Sequence, residues 1–384
     1  MEERARYLAR NTSTTSGTIL LIGFNRVSEG AVEKSFPFWQ TLKQVSRSFY
    51  LSLWLLPSAT RQSVALAYLL ARAGDTIADT PLVPYQERIR LLELLETSLK
   101  HRLQTAANAP SSVEKELLKT LRKQISQASY TYSTEGEAYL LLHLQHCLKF
   151  FSAQSPSAQK LIEEVLEVIF SGMRLDLEYF SSSSLRAFSN WEQLEDYCYR
   201  VAGVVGEFWT KIHKHTLPTL EKQWDKQQIQ RGVAFGKALQ MTNILRDIQG
   251  DLKRNRVYLP HSLLQEVNLA PEDLREAENG KKLTPVYAKL LAKTAEFYQQ
   301  GIEYLLAIPR RYMRLRFACF LPLAIGLETL HVLWQLENPL AVEGVKIPRK
   351  RVYTLLAWGG GMITSNTWLT HFLTKRLKKL PTNL

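Results

Sequence analysis

Residues 67–80 read AYLLARAGDTIADT, and they pose a question: why does so apolar a stretch carry two carboxylates four residues apart? Alanine and leucine favour helix, and the run from Ala59 to Thr80, closed by Pro81, is expected to form one. At about 100° per residue, Tyr68, Arg72, Asp75 and Asp79 share one narrow face. Leu66, Ala67, Leu69, Leu70, Ala71, Ala73 and Ile77 make the remainder apolar. Two ionised carboxylates on one line of a buried helix repel and lose hydration unless a cation joins them. Taken alone, the pair is explained by an ordinary solvated face on which Arg72 neutralises one aspartate. The functional explanation is a divalent cation such as Mg²⁺, which takes oxygen ligands and shares its shell with water and phosphate. Arg72 and Tyr68 then supply a phosphate clamp and a phenolic donor on the same face.

A second stripe shifts the balance. Residues 240–251 read QMTNILRDIQGD, and Gln240, Asn243, Asp247 and Asp251 again fall on one helical face. Lys253, Arg254 and Arg256 crowd its end. Two acid lines on two helices, each beside cations, suit Mg²⁺ held between them and arginines gripping a diphosphate. Such a field draws electrons into a leaving diphosphate. Two further stretches fit. Ser46 and Arg47 precede Phe49, Tyr50 and Trp54, which reads either as a diphosphate-binding arginine beside an aromatic wall or as a core face. In YCYRVAGVVGEFW (197–209), Val201, Ala202, Gly203 and Gly206 form a small-residue side where a helix or a long ligand comes close, bordered by Tyr197 and Phe208.

Strand signals are nearly absent, and helical periodicity runs from about residue 36 to 337. The fold class is therefore all-α, with one domain over residues 36–340 and a basic helix and tail over 341–384. Residues 1–35, rich in Arg, Ser and Thr, are expected to form a disordered or targeting-like arm. The chain carries 49 Lys+Arg against 36 Asp+Glu, a net +13, which attracts anions. No zinc-finger spacing or aromatic-interleaved basic repeat is present, so nucleic acid is not expected as a partner. Three cysteines without a CxxC pair suit a reducing, cytoplasmic setting. No uninterrupted apolar run reaches the length of a membrane span. His143 and His146, near Glu137, have a metal-like spacing but lack further ligands and are read as surface or core residues. The basic tail, with mildly apolar residues between its charges, is expected to pack on the body or rest at an anionic membrane. Oligomeric state is left open.

The motifs SRSF (46–49), YLLARAGDTIAD (68–79), YCYRVAGVVG (197–206) and QMTNILRDIQGD with RVYLP (240–260) occur in this order. Together they closely resemble the squalene/phytoene synthase family over roughly residues 36–335. The resemblance implies an isoprenoid-synthase-type helical bundle around a central apolar cavity. It implies head-to-head joining of two prenyl diphosphates through a cyclopropylcarbinyl diphosphate. It further implies Mg²⁺ on Asp75, Asp79, Asp247 and Asp251 with Asn243 alongside, and diphosphate contacts from Arg47, Arg72 and Arg246. Tyr68 and Tyr197 would lie near the reacting carbons as proton acceptor or cation-stabilising rings. The final quench decides the product: hydride from NADPH gives squalene, proton loss gives phytoene or dehydrosqualene, and water gives hydroxysqualene. GMRLDLEYF (172–180) and RVYLP resemble bacterial members, and bulky Phe208 and Trp209 favour a shorter prenyl chain. The expectation is squalene formation from two farnesyl diphosphates with NADPH, phytoene or dehydrosqualene synthesis being the alternative. A non-catalytic assembly factor of the same fold is a third reading, which the retention of all four aspartates disfavours.

Overall fold

A computed structural model of the protein describes residues 36–46, 49–80, 83–105, 109–127, 134–181 and 184–378. The expected N-terminal arm and Arg47 lie outside the described residues. Helices α1 (Phe38–Ser46) and α2 (Phe49–Trp54) precede Pro57, and α3 (Ser58–Ala78) carries the first acid stripe. α4 (Tyr85–Thr105), α5 (Ser112–Ser126), α6 (Glu135–Leu142) and α7 (Leu144–Ser152) follow. α8 (Pro156–Tyr179) starts on Ser155, whose side chain accepts from the Ala158 N–H, with Pro156 in the first turn.

The small-residue stretch over 197–209 lies in three pieces: α9 (Trp191–Cys198), a π-helical turn over Tyr199–Gly203, and α10 (Val204–Thr216). α11 (Pro218–Gln223) leads to α12 (Lys226–Arg246), which Asp225 caps by accepting from the Gln228 N–H. The second stripe differs from its reading as one helix. α12 ends at Arg246, Asp247 leaves helical geometry at φ −107° and ψ 18°, and α13 (Ile248–Lys253) begins beyond it. The Asp251 N–H still donates to the Asp247 carbonyl at 3.0 Å, so the stripe bends without dissolving. α14 (His261–Gln265), α15 (Gly280–Leu306), α16 (Met313–Trp334), α17 (Arg349–Met362) and α18 (Asn366–Leu377) complete the set.

Among the described residues the only strands are β1 (Arg186–Ala187) and β2 (Arg256–Val257), paired in parallel with Arg186 opposite Arg256. The ladder is too short for a period-two pattern to show in sequence. The Phe188 N–H donates to the Val257 carbonyl at 3.2 Å and the His261 N–H to the Phe188 carbonyl at 2.6 Å. Asn255, at φ 58°, takes the left-handed turn just before β2, a conformation asparagine tolerates. The small sheet thus fixes the backbone that presents Arg256 and Tyr258.

α12 runs through the middle of the bundle, packed against α10 and the π turn on one side and α15 and α16 on the other. The first contact is backbone to backbone. A Cβ on Gly206 would lie 1.9 Å from the Gly232 oxygen, and one on Gly236 would lie 2.2 Å from the Ala202 oxygen. Small residues four apart on both helices, Ala202 with Gly206 and Gly232 with Gly236, therefore set the separation. On the other side, buried hydroxyls tie α15 to its neighbours. Thr242 and Tyr298 share a hydrogen bond at 2.8 Å, Thr210 donates to Tyr304 at 3.1 Å, and Tyr287 donates to the Leu245 carbonyl at 3.0 Å.

α16 is long and apolar enough to cross a bilayer by length and composition, with a mean hydropathy of 1.6 over its best window. It is a core helix here, with Leu315, Phe320, Leu323, Leu327 and Leu330 buried. Gly206→Ala places a methyl group against the Gly232 carbonyl, which no side-chain rotation relieves. We expect urea unfolding of this variant to show a loss of about 1–3 kcal/mol.

Candidate active site

The two acid stripes face one enclosed space. Asp75 and Asp79 from α3 and Asp247 and Asp251 from the α12–α13 junction line a polar chamber of about 480 Å³. Arg72, Gln240, Asn243, Arg246, Arg256 and Tyr197 also face it. Arg72, Asp75, Ile169, Met173, Val201 and Asn243 are shared with a second, apolar chamber of about 410 Å³. Phe49, Tyr68, Ala202, Gly206, Trp209 and Phe235 are among its other walls. A polar mouth therefore opens into an oily interior.

Each stripe carries its own cation. Arg72 Nη1 meets Asp75 at 2.5 Å and Arg72 Nη2 donates to the Tyr68 hydroxyl at 3.2 Å. Tyr68 in turn stacks on Phe49, with ring centroids 5.8 Å apart. Arg246 grips the Asp247 carboxylate with Nε at 2.9 Å and Nη2 at 2.5 Å. Arg256 reaches across, 3.7 Å from Asp79 and 2.9 Å from Asp176.

These cations do not offset the acids in full. The Asp75 side chain keeps 42% of its accessible surface and lines the polar chamber. Burial, with the Asp79 charge adding to it and Arg72 opposing, pushes the Asp75 carboxyl up to about 6. Burial likewise raises Asp251 to about 7, against the pull of Arg256 and with Asp247 adding to the rise. Burial also works against the charge on Arg256, but Asp176 above all outweighs it and holds the guanidinium above its ordinary range.

Asp176 is a site residue that the motif reading passed over. It sits on α8 one turn beyond Met173 and two beyond Ile169, on the same face, so the projection that found Asp75 and Asp79 would have found it. Its carboxylate accepts from the Tyr258 hydroxyl at 2.7 Å, and the Tyr197 hydroxyl donates to that of Tyr258 at 3.4 Å. The two rings stack 4.9 Å apart. Burial moves the Asp176 carboxyl and both phenols upward.

Three expected site residues stand elsewhere. Ser46 is buried and donates to the Leu42 carbonyl at 2.5 Å, lining neither chamber. Gly203 is a packing position, where a Cβ would come 3.1 Å from Tyr199 and 3.3 Å from Val233. Phe208 is buried away from both chambers, and its neighbour Trp209 lines the apolar one. The π turn explains the exchange: it holds more residues per turn than an α-helix and so delays the phase by about one residue. Val201, Val205 and Trp209 become the lining series.

The chemistry of the donor set, hard carboxylate oxygens on two walls with unmet negative charge, fits Mg²⁺. Among the described residues no group of three or more His, Cys, Asp or Glu is arranged to hold a metal by itself. His143 and His146 form no such site: the His143 ring stacks on Tyr139 with centroids 4.0 Å apart.

The all-α bundle matches the fold of solved squalene synthases. A solved TcSQS complex with a ligand superposes with a TM-score of 0.68, covering 88% of this chain and 90% of that one at 20% identity. The family model described as squalene/phytoene synthase matches residues 42–351, and the chain belongs to that family. A bifunctional lycopene cyclase/phytoene synthase of Arthroderma gypseum is 27% identical over 270 residues, 70% of this chain and 41% of the relative. A squalene synthase of Mycosarcoma maydis is 23% identical over 322 residues, 78% of this chain and 50% of the relative. The chain thus spans about half or less of the length of these two relatives.

The raised carboxyls dictate a pH response. The unfolded chain releases these protons near pH 3.9, whereas the native protein holds them up to about 6 at Asp75 and 7 at Asp251. Native protein binds more protons between those limits, so its stability is greatest below them and falls as pH rises through them. In EDTA we expect the thermal midpoint to drop between about pH 4 and 7, and Asp251→Asn to flatten that slope.

Proposed function

We propose that the protein joins two farnesyl diphosphates head to head and, with NADPH as reductant substrate, releases squalene. The observation that carries this reading is the pairing of an acid- and arginine-lined mouth with an apolar chamber behind it. Asp75, Asp79, Asp247 and Asp251, with Asn243, would hold Mg²⁺, which when bound supplies positive charge for a leaving diphosphate. Arg72, Arg246 and Arg256 turn from their carboxylates to diphosphate oxygens, and Gln240 donates beside them. Arginine suits this because its fork matches a phosphate bidentately.

The reaction follows from the walls. One diphosphate departs with the bonding electrons, leaving an allylic cation inside the apolar chamber. The double bond of the second prenyl chain attacks it, and loss of a proton closes a cyclopropane. The remaining diphosphate departs, the skeleton rearranges, and hydride from NADPH quenches the cation, leaving NADP⁺. Tyr68 and Tyr197 face the two chambers and supply electron-rich rings to the cation or a hydroxyl to the proton. Ile169, Met173, Val201 and Ala202 keep out water that would capture the cation.

Phe49, Trp209, Phe235 and Tyr304 occupy wall positions in the apolar chamber, which favours a fifteen-carbon over a twenty-carbon chain. Similarity to phytoene synthase relatives supports a second reading, in which proton loss ends the reaction without NADPH. Incubation with farnesyl diphosphate, Mg²⁺ and NADPH is expected to give squalene, with no squalene when NADPH is omitted and no turnover in EDTA. Conversion of geranylgeranyl diphosphate alone to a forty-carbon hydrocarbon defeats the squalene reading. A separate prediction concerns chain length. Trp209→Ala is expected to raise kcat/KM for geranylgeranyl relative to farnesyl diphosphate by roughly tenfold or more, whereas Phe208→Ala leaves that ratio unchanged.

A further inference from the structure

The three most exposed large hydrophobic side chains among the described residues lie together at the C-terminus. Tyr353 and Trp358 on α17 and Trp368 on α18 keep 66%, 69% and 61% of their surface, against 47% for the next, Trp54. α17 and α18 form a helical hairpin that is firmly seated. Glu328 on α16 pairs with both Arg351 and Arg376, Gly359 lies against Phe317 and Phe320, and the fully buried Arg316 donates to Asn366. The hairpin's inner face is thus spoken for, and the exposed rings belong to its outer face. On α17, Lys350, Tyr353, Ala357, Trp358 and Gly361 recur at helical spacing and all are exposed. On α18, Trp368, His371, Lys375 and Lys378 do the same.

The charge on this face is one-sided. From Lys346 to the C-terminus the sequence contains no Asp or Glu, while Lys and Arg occur at 346, 349, 350, 351, 375, 376, 378 and 379. Glu328 accounts for two of these. Lys346, Arg349, Lys350, Lys375 and Lys378 form no ion pair among the described residues. Exposed tryptophans flanked by unpaired lysines repel a second copy of the same face and match an anionic bilayer surface, where indole rings settle at headgroup depth.

We propose that the outer face of the α17–α18 hairpin docks the protein on anionic lipid bilayers, through Trp358, Trp368 and Tyr353 at the interface and Lys350, Lys375 and Lys378 against lipid phosphates. The support beneath the hairpin gives the contact a use, which rests on the proposed function. α16 carries Phe317 and Phe320 under the hairpin and Ala318, Cys319 and Pro322 in the wall of the apolar chamber. One helix therefore separates the chamber from the hairpin that carries the docking face, which brings a water-insoluble product close to the phase that dissolves it.

Cosedimentation of the full chain with vesicles tests this without substrate, so it stands or falls apart from the reaction. The chain is expected to pellet with mixed phosphatidylcholine and phosphatidylglycerol, not with phosphatidylcholine alone, and to be released by about 1 M salt. Trp358→Ala with Trp368→Ala, and separately Lys350→Glu with Lys375→Glu, are each expected to weaken vesicle binding roughly tenfold or more. Both pairs should keep the parent's thermal midpoint and turnover in detergent, because these side chains are exposed and line neither chamber. Equal pelleting with neutral vesicles, unchanged binding by the variants, or self-association or duplex binding in place of vesicle binding overturns the proposal.

Discussion

Everything in this protein is arranged around carboxylates that face one another across an enclosed space. Asp75, Asp79, Asp247, Asp251 and Asp176 are brought into one chamber, and their repulsion is met only in part by Arg72, Arg246 and Arg256. Burial above all, with the neighbouring carboxylates adding to it, lifts Asp75 and Asp251 toward neutrality. Buried charge without full compensation is costly, so such a chamber persists only where the surrounding packing imposes it. On the proposed function, a cation would satisfy the acids and a polyanionic ligand would take over the arginines.

The imposition comes from backbone contact. Ala202 and Gly206 meet Gly236 and Gly232 with no room for a Cβ, which fixes how near α10 and the π turn lie to α12. That spacing brings Val201, Ala202 and Gly206 to the same apolar chamber as Asn243. The β1–β2 ladder does the same for Arg256 and Tyr258, holding them opposite Asp79 and Asp176. The polar ties of α15 through Thr242 and Leu245 hold α12 from behind, and its tie to Thr210 holds α10. The chamber is thus rigid at the points where its charges sit.

Helical class and both acid stripes were legible in the sequence because burial on one face of a helix leaves a 3.6-residue signature. The small-residue side of the 197–206 segment was legible for the same reason, though its partners Gly232 and Gly236 were not sought. What sequence periodicity cannot carry is a change of phase. The π turn at Tyr199–Gly203 moved the lining from Phe208 to Trp209, and the break at Asp247 bent the second stripe. A two-residue strand has no period at all, so the geometry that delivers Arg256 was hidden. Asp176 is different: its signal is present in the sequence, a carboxylate on the same helical face as Ile169 and Met173.

α16 shows how the same physics produces an apparent contradiction. Its composition suits a membrane span, yet its surroundings are protein. A surface helix needs one apolar stripe and a water-facing polar one. α16 has no water-facing side to speak of, because one side closes the apolar chamber at Ala318, Cys319 and Pro322 and another supports the α17–α18 hairpin at Phe317 and Phe320. Two of its charged side chains are accounted for. Arg316 is spent on the Ile308 and Ile363 carbonyls and on Asn366, and Glu328 on Arg351 and Arg376. Both serve to clamp the hairpin. The high hydropathy of α16 therefore follows from lying between an apolar cavity and a covering element whose own outer face is aromatic and basic.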